Sequence, residues 1–415
     1  MRALTPRQTL IILTGLNLFN YFDRYVLSAV LHSIQVDWGI SDSKAGWLGT
    51  AFMLGYFVTA PFFGWLGDRT SRKWLIAGGI LVWSAATVMT GFAGSFTVML
   101  CWRVMVGVGE ASYATVSPAW LSDVYPREKR NTALTWFYTA IPIGAAIGTL
   151  MGGFIAKHQG WQHAFIWAGA PGLLLALLLL PFKEPARTTD GAPGEHRLPG
   201  MKDIGALLRR PDYNLSVWGY TAYTFALGAM AHWGPSFLQR AHGMTQEAAG
   251  GFFGPMLAVA GLGGTLIGGL AATAWRKRHR SGYAGVLAAS MLLGAPAAWL
   301  AFTVPDRTLS MAALAVAMFC CFLGTGPINT LILECSPAAL RASAMAGSIF
   351  IIHLFGDLWS PWVVGELSDH WQNFSHALLI LPVALFIAGV LWAILAWKQH
   401  LTPGEDHGMV KSPAV

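Results

Sequence analysis

The chain has 415 residues, 54% of them hydrophobic and only 11% charged, with a formal net charge of +7. A soluble domain carries about 25% charged residues, so the composition excludes a water-soluble enzyme and describes a polytopic membrane protein. The positive surplus is a matter of position rather than sum, and no nucleic-acid partner is expected.

Apolar runs of about 20 residues are long enough to cross hydrocarbon as helices. Twelve occur, near 8–32, 45–66, 74–94, 97–119, 132–156, 162–182, 213–238, 247–274, 282–303, 309–333, 343–366 and 374–397. The expected fold is therefore an all-α membrane protein of twelve transmembrane helices. Trp38, Trp47, Trp161, Trp275, Trp371 and Trp397 fall near span ends, where an amphipathic ring suits the interface. The first run reaches full spanning length without a small-residue cleavage site, so no cleavable signal peptide is expected. Cys101, Cys320, Cys321 and Cys335 have neither metal-ligand spacing nor a disulfide framework, and no metal or cofactor is expected.

Of the 27 Lys and Arg residues, 21 lie in the termini and alternate loops on one side. The positive-inside rule puts that side, with both termini, in the cytoplasm; a bacterial inner membrane is the expected location. The longest polar stretch divides the spans six and six. The expected organisation is a first six-helix bundle over 1–183, a cytoplasmic linker over 184–212, a second bundle over 213–398 and a tail over 399–415.

The halves echo each other. Asp123, Pro126 and Arg130 after the fourth span recur as Glu334, Pro337 and Arg341 after the tenth, each 211 residues on. Duplicated six-span halves mark a secondary transporter whose site lies at the repeat interface.

Ionisable residues inside spans are costly, at roughly 2.5 kcal/mol or more on insertion scales, and usually face a bundle interior or a wet cavity. Span four holds Arg103 and Glu110, seven residues apart and so on one helix face. Span one holds Asp23 and Arg24, with Asn17, Asn20 and Arg24 forming a polar stripe. A carboxylate in hydrocarbon gains a proton when a neighbouring arginine leaves and loses it when the arginine returns, which is a workable coupling cycle. A permanent buried ion pair is the structural alternative. His353 and Asp357, four residues apart in span eleven, read equally as a proton relay or as a polar pair at a helix crossing. His232 reads as an interfacial histidine. The glycines of span five (Gly144, Gly148, Gly152 and Gly153) read as close helix packing. His32 and Asp37 have an acyltransferase-like spacing, but no soluble α/β domain is present to host that chemistry.

The loop after span two, Gly64-Trp-Leu-Gly67-Asp68-Arg69-Thr-Ser-Arg72-Lys73, resembles the cytoplasmic motif of the major facilitator superfamily. The resemblance implies a gate in which Asp68 meets a basic partner at a helix end, with Gly64, Asp68, Arg69, Arg72, Arg130 and Arg341 as gating residues. The second-half equivalent, Gly268 to Arg278, keeps the glycine and the basic run but has no acid, so a latch there works differently or not at all. Arg103-x-x-x-Gly107-x-Gly109 resembles the span-four motif of proton-coupled members. Further stretches around Asn20–Tyr25, Gly109–Tyr113, Ala140–Gly144, Trp233–Leu238 and His353–Pro361 together resemble the Spinster family of that superfamily.

That family moves lysophospholipids and sphingosine-1-phosphate, and the resemblance implies Asp23 and Glu110 as its functional acids. The expectation is thus a monomeric, proton-coupled carrier of an amphipathic lipid working by alternating access, surrounded by membrane lipids. Asp23, Arg24, Arg103, Glu110, His353 and Asp357 are its expected coupling residues. Asn17, Asn20, Ser112 and Tyr113 are expected near the substrate head group, and Tyr223, Phe225 and Trp233 along its tail. A carrier of drugs or small organic anions, with the arginines binding a carboxylate, is the alternative. A membrane enzyme acting on lysolipids and a transport-inactive receptor are the rivals from other classes.

Overall fold

The structure, a computed structural model, describes residues 2–3, 5–179, 181–183, 205, 207–337 and 340–401. Twelve helical rods run through it: α1 (Pro6–Trp38), α2 (Asp42–Arg69), α3 (Arg72–Gly91), α4 (Phe96–Val124), α5 (Thr132–Gln159), α6 (Trp161–Leu179), α7 (Pro211–His242), α8 (Gln246–Arg276), α9 (Gly282–Thr303), α10 (Arg307–Glu334), α11 (Ser343–Trp371) and α12 (Phe374–Leu401). Eight of them are long and apolar enough to cross a bilayer by length and composition alone. Those left out include α1 and α4, whose apolar runs are interrupted by Asp23, Arg24, Arg103 and Glu110.

The helices outrun the apolar runs because their caps lie beyond them. Thr5 and Gln8 form a capping box at the start of α1, Pro6 occupies its first turn, and Gly39 ends it in the left-handed region at φ +58°. Ser41, Ser95, Thr245 and Asp306 cap α2, α4, α8 and α10 through their side chains. At the other extreme of the chain order, the backbone of Arg2–Ala3 pairs in parallel with Phe182–Lys183. Residues 184–204 of the expected linker and 402–415 of the expected tail lie outside the described residues.

Small residues set the helix spacing. A Cβ on Gly107 of α4 would sit 2.1 Å from the carbonyl oxygen of Phe52 in α2, so only glycine admits that crossing. The same device joins the halves: a Cβ on Gly46 of α2 would lie 2.3 Å from the Pro361 oxygen of α11. The two halves meet mainly through α2 with α11, α5 with α8 and α1 with α7.

Their junction is tightest at the end away from the chain termini. Arg240 of α7 donates to both oxygens of Asp42 on α2, at 2.6 and 3.0 Å, and lies 3.9 Å from the Phe374 ring centre. Gln35 and Ser368 also donate to Asp42, at 2.6 and 2.5 Å. The Asp369 carboxylate caps the first turn of α2, accepting from the backbone N–H groups of Asp42 and Ser43 at 3.0 and 2.8 Å. Lys157 and Glu247 pair beside them, and Ser33 donates to Gln246 at 2.9 Å. At the termini end the ion pairs Arg72–Asp123, Arg276–Glu334 and Lys398–Asp212 each stay within one half.

α11 is not a uniform helix. Residues His353–Asp357 form a π-helical turn closed by the Leu358 N–H donating to the His353 oxygen at 3.2 Å. Such wide turns inside helices are frequent at functional sites.

Candidate functional site

Asp23 and Arg24 are successive residues, so about 100° of helix separates their side chains. They therefore serve different neighbours. Arg24 reaches α4, where its Nη2 and Nε donate to Glu110 Oε2 at 2.6 and 3.0 Å. Asp23 turns to α3, and both its oxygens lie against the Thr87 hydroxyl, at 2.9 and 2.7 Å. The Arg24 guanidinium is also held 4.7 and 4.8 Å from the ring centres of Tyr21 and Phe52, an arrangement that suits a cation removed from water.

The same Phe52 ring lies 5.1 Å from the Arg103 guanidinium. Sequence spacing puts Arg103 and Glu110 on one face of α4, but Arg24 takes the acid instead. Arg103 is 1% exposed, and its Nε and Nη1 have no hydrogen-bond partner among the described residues. Asp23 is likewise 1% exposed and Glu110 fully buried, whereas the Arg24 side chain keeps 22% of its surface. Two acids and two arginines are thus grouped together, the arginines lining the cavity and the acids behind them.

What they front is a cavity of about 150 Å³ between the halves. Arg24, Arg103, Phe52 and Met53 line it from the first half; His232, Asp357 and Pro361 line it from the second. Asp357 accepts from or donates to His353 Nδ1 at 2.9 Å across the π-helical turn, so the pair expected from spacing is formed. His232 differs from its sequence reading. It stands in the cavity wall rather than at the interface, packed where α2 offers only Gly49, and its Nε2 has no partner among the described residues.

Several expected substrate contacts are turned elsewhere. Ser112 donates to the Leu75 oxygen at 2.8 Å and Tyr113 to the Leu13 oxygen at 2.5 Å, both inside the first half. Asn17 donates to the Phe137 oxygen at 3.1 Å and ties α1 to α5, while Asn20 is buried beside it. Trp233 is buried, donating to the Pro361 oxygen at 3.0 Å, and Tyr223 packs on Trp392. Phe225 is half-buried against the same second-half core. A polar or aromatic residue in a span has two ways to be satisfied, by a cavity or by a neighbouring helix, and spacing alone does not separate them.

The gate residues are seen in part. Gly64 lies in ordinary contact with Thr115 of α4, and Asp68 is exposed at the end of α2. Arg69 donates to the Trp65 oxygen at 3.2 Å, Arg72 pairs with Asp123, and Arg130 donates to the Tyr125 oxygen at 3.0 Å. The second half answers the missing acid: Arg276 donates to Glu334 at 3.1 Å. Each half therefore pairs an arginine from the loop region after its second helix with the acid ending its fourth. Arg341 stands exposed beside that pair. The latch at the opposite end, Asp42 with Arg240, carries no sequence signal: 198 residues separate the partners and neither sits in a motif.

Twelve helices in two repeated halves around a charged central cavity define a membrane transporter, and residues 13–356 match the Major Facilitator Superfamily. The chain belongs to that superfamily and, within it, to the Spinster family. It is 34% identical over 386 residues to Protein spinster homolog 1 of Xenopus tropicalis, covering 88% of this chain and 73% of the relative. It is 32% identical over 429 residues to the sphingosine-1-phosphate transporter SPNS2 of Danio rerio, covering 95% and 85%. Among solved structures, a bacterial homolog of the human lysosomal transporter Spinster in an inward-facing, unoccupied conformation superposes with a TM-score of 0.84. That match has 22% identity and covers 96% of this chain and 99% of the other. The D-xylose-proton symporter shares the fold at a TM-score of 0.73 and 18% identity, covering 94% and 97%. The chain is an integral membrane transporter, not an enzyme.

Proposed function

We propose that this transporter carries an amphipathic lipid with an anionic head group, of the lysophospholipid or sphingosine-1-phosphate kind, by proton-coupled alternating access. The observation that carries the reading is the central cavity wall. Two guanidinium groups face the space, that of Arg103 with its Nε and Nη1 unpartnered among the described residues, and the acids that can exchange them lie behind. An anionic head group arriving at Arg24 and Arg103 competes with Glu110 for the same cations. Protonation of Glu110 releases Arg24 to the substrate, and substrate departure returns it to the carboxylate. The substrate class is supported by the sphingosine-1-phosphate transporter among the relatives.

The uneven junction supports alternating access. The Asp42–Arg240 latch ties the halves together at the end away from the termini, whereas the ion pairs at the termini end remain within each half. With the lysine and arginine excess at the termini side, that side is cytoplasmic, the membrane is a bacterial inner membrane, and the cavity communicates with the cytoplasm. The six-span halves over 1–183 and 213–398 are the rocking units, working in a monomer. A 150 Å³ cavity is also small against the roughly 300–1,000 Å³ of ordinary ligand pockets, which favours a small organic anion as the second reading.

The test is flux into proteoliposomes of a lysophospholipid and of a small organic acid, each with and without a pH gradient. Gradient-stimulated lipid flux, competed poorly by the acid, is the expected result. Acid flux without lipid flux selects the second reading. Lipid flux that ignores the gradient refutes the coupling.

A further inference from the structure

At the termini end of the second half lies a cavity of about 340 Å³, which shares no lining residue with the central cavity. Arg276, Arg280 and Arg341 line it together with Asp212, Glu334 and Gln399. The two acids are already engaged: Glu334 accepts from Arg276 at 3.1 Å, and Asp212 from Lys398 at 2.6 Å. Arg280 and Arg341 are exposed and have no ion pair or hydrogen bond among the described residues, so two guanidinium groups reach one concavity whose two acids are engaged by other cations. Such like charges repel, and a site that holds them together is one that an anion stabilises.

A second observation points the same way. Among the described residues, the side-chain oxygen of Gln399 is buried without a partner, and its amide nitrogen meets the Cys335 sulfur at 3.9 Å. Turning the amide over, which exchanges two atoms of nearly equal size, presents N–H donors in place of the orphaned oxygen. The cavity then offers two guanidinium forks and an amide donor, the donor set that fits a phosphate.

Its position selects the source of that phosphate. Trp275 at the end of α8 and Trp397 near the end of α12 are both exposed, marking this level as the membrane interface. Basic pockets between transmembrane helices at that level take the head groups of anionic lipids. We propose that this cavity binds the phosphate of an anionic phospholipid of the surrounding bilayer, at a site separate from the transport cavity.

The full-length protein, delipidated in detergent, is titrated with phosphatidylglycerol or phosphatidylcholine and the bound lipid counted by native mass spectrometry. Phosphatidylglycerol is expected to bind in clear preference. Removing both arginines, as Arg280→Gln with Arg341→Gln, is expected to weaken it about 30-fold. Each single substitution is expected to weaken it about fivefold, which keeps the test alive should the double variant fold poorly. Arg278→Gln, from the same loop but outside the cavity lining, should change nothing. Inorganic phosphate is titrated in parallel: phosphate that displaces the lipid from wild type, and binds the double variant no better than background, supports the phosphate chemistry with a soluble source. Unchanged phosphatidylglycerol affinity in the single and double variants, or an equal loss in Arg278→Gln, overturns the proposal.

Discussion

Arg240→Ala removes the latch at one stroke. In the structure Arg240 gives Asp42 two charge-assisted hydrogen bonds, at 2.6 and 3.0 Å, and lies 3.9 Å from the Phe374 ring centre. Hydrogen bonds to charged groups contribute about 1.5–3 kcal/mol, and a partly exposed cation–π contact about 0.5–1 kcal/mol. The Arg240 side chain keeps 27% of its surface, so solvent screening trims the total toward about 2–4 kcal/mol. All of it is present only when the halves are closed at this end. At 1.4 kcal/mol per tenfold change, its loss shifts the ratio of open to closed conformers by about 30- to 700-fold. The assay is pulsed electron–electron resonance between spin labels at Lys44 and Ala241, one in each half beside the latch, in lipid nanodiscs. Wild type should give a dominant short distance, and Arg240→Ala a second, longer one. Asp42→Asn, which keeps one acceptor oxygen, should fall between. Superposable distance distributions for wild type and Arg240→Ala would show that the pair does not hold the halves together, and the proposed gating would fail with it.

Glu110→Gln keeps the shape of the residue that accepts from Arg24 but not its charge; proteoliposomes should retain head-group binding and lose stimulation by a pH gradient, as should Asp23→Asn. Thr87→Val strips Asp23 of its hydrogen bond and should lower stability by about 1–3 kcal/mol, read as a reduced melting temperature in detergent. Gly107→Ala places a methyl 2.1 Å from the Phe52 oxygen; since overpacking costs about 1–3 kcal/mol or more, the monodisperse fraction on size exclusion should fall sharply. Tyr113→Phe should destabilise by about 1 kcal/mol through the lost bond to the Leu13 oxygen, yet leave the substrate concentration for half-maximal flux unchanged.

The spans, their number and the repeat were legible because hydrocarbon imposes length and apolarity on every crossing segment. The charged cluster was legible for the converse reason: Asp23, Arg24, Arg103 and Glu110 stand out where charge is expensive. Which charge meets which was not. Helical spacing described Arg103 and Glu110 as neighbours, but the close crossing of α1 on α4 brings Arg24 in first, and spacing along one helix is silent about the helix beside it. Ser112 and Tyr113 show the same limit, since a polar side chain looks alike whether it faces a cavity or a carbonyl oxygen of the next helix. The latch was hidden for a different reason. Asp42 and Arg240 sit at helix ends, where charge costs little, so nothing in composition marks them.

The placement of charge also suggests why the two halves diverged. Both keep the termini-side pair of an arginine with the acid of the repeat, Arg72–Asp123 and Arg276–Glu334, which braces each half at its own end. At the centre the symmetry is gone. The first half holds four ionisable groups, two acids and two arginines, and among the described residues the second contributes the His353–Asp357 pair and His232. In the proposed cycle, a cation that passes between a carboxylate and a substrate is best kept with that carboxylate in one half, so that rocking changes what reaches it without tearing the acid away. The facing half then needs only to open and close over it. If the exchange ran between halves instead, each cycle would strand an unpaired charge in hydrocarbon, at several kcal/mol. Concentrating Asp23, Arg24, Arg103 and Glu110 in α1 and α4 avoids that step.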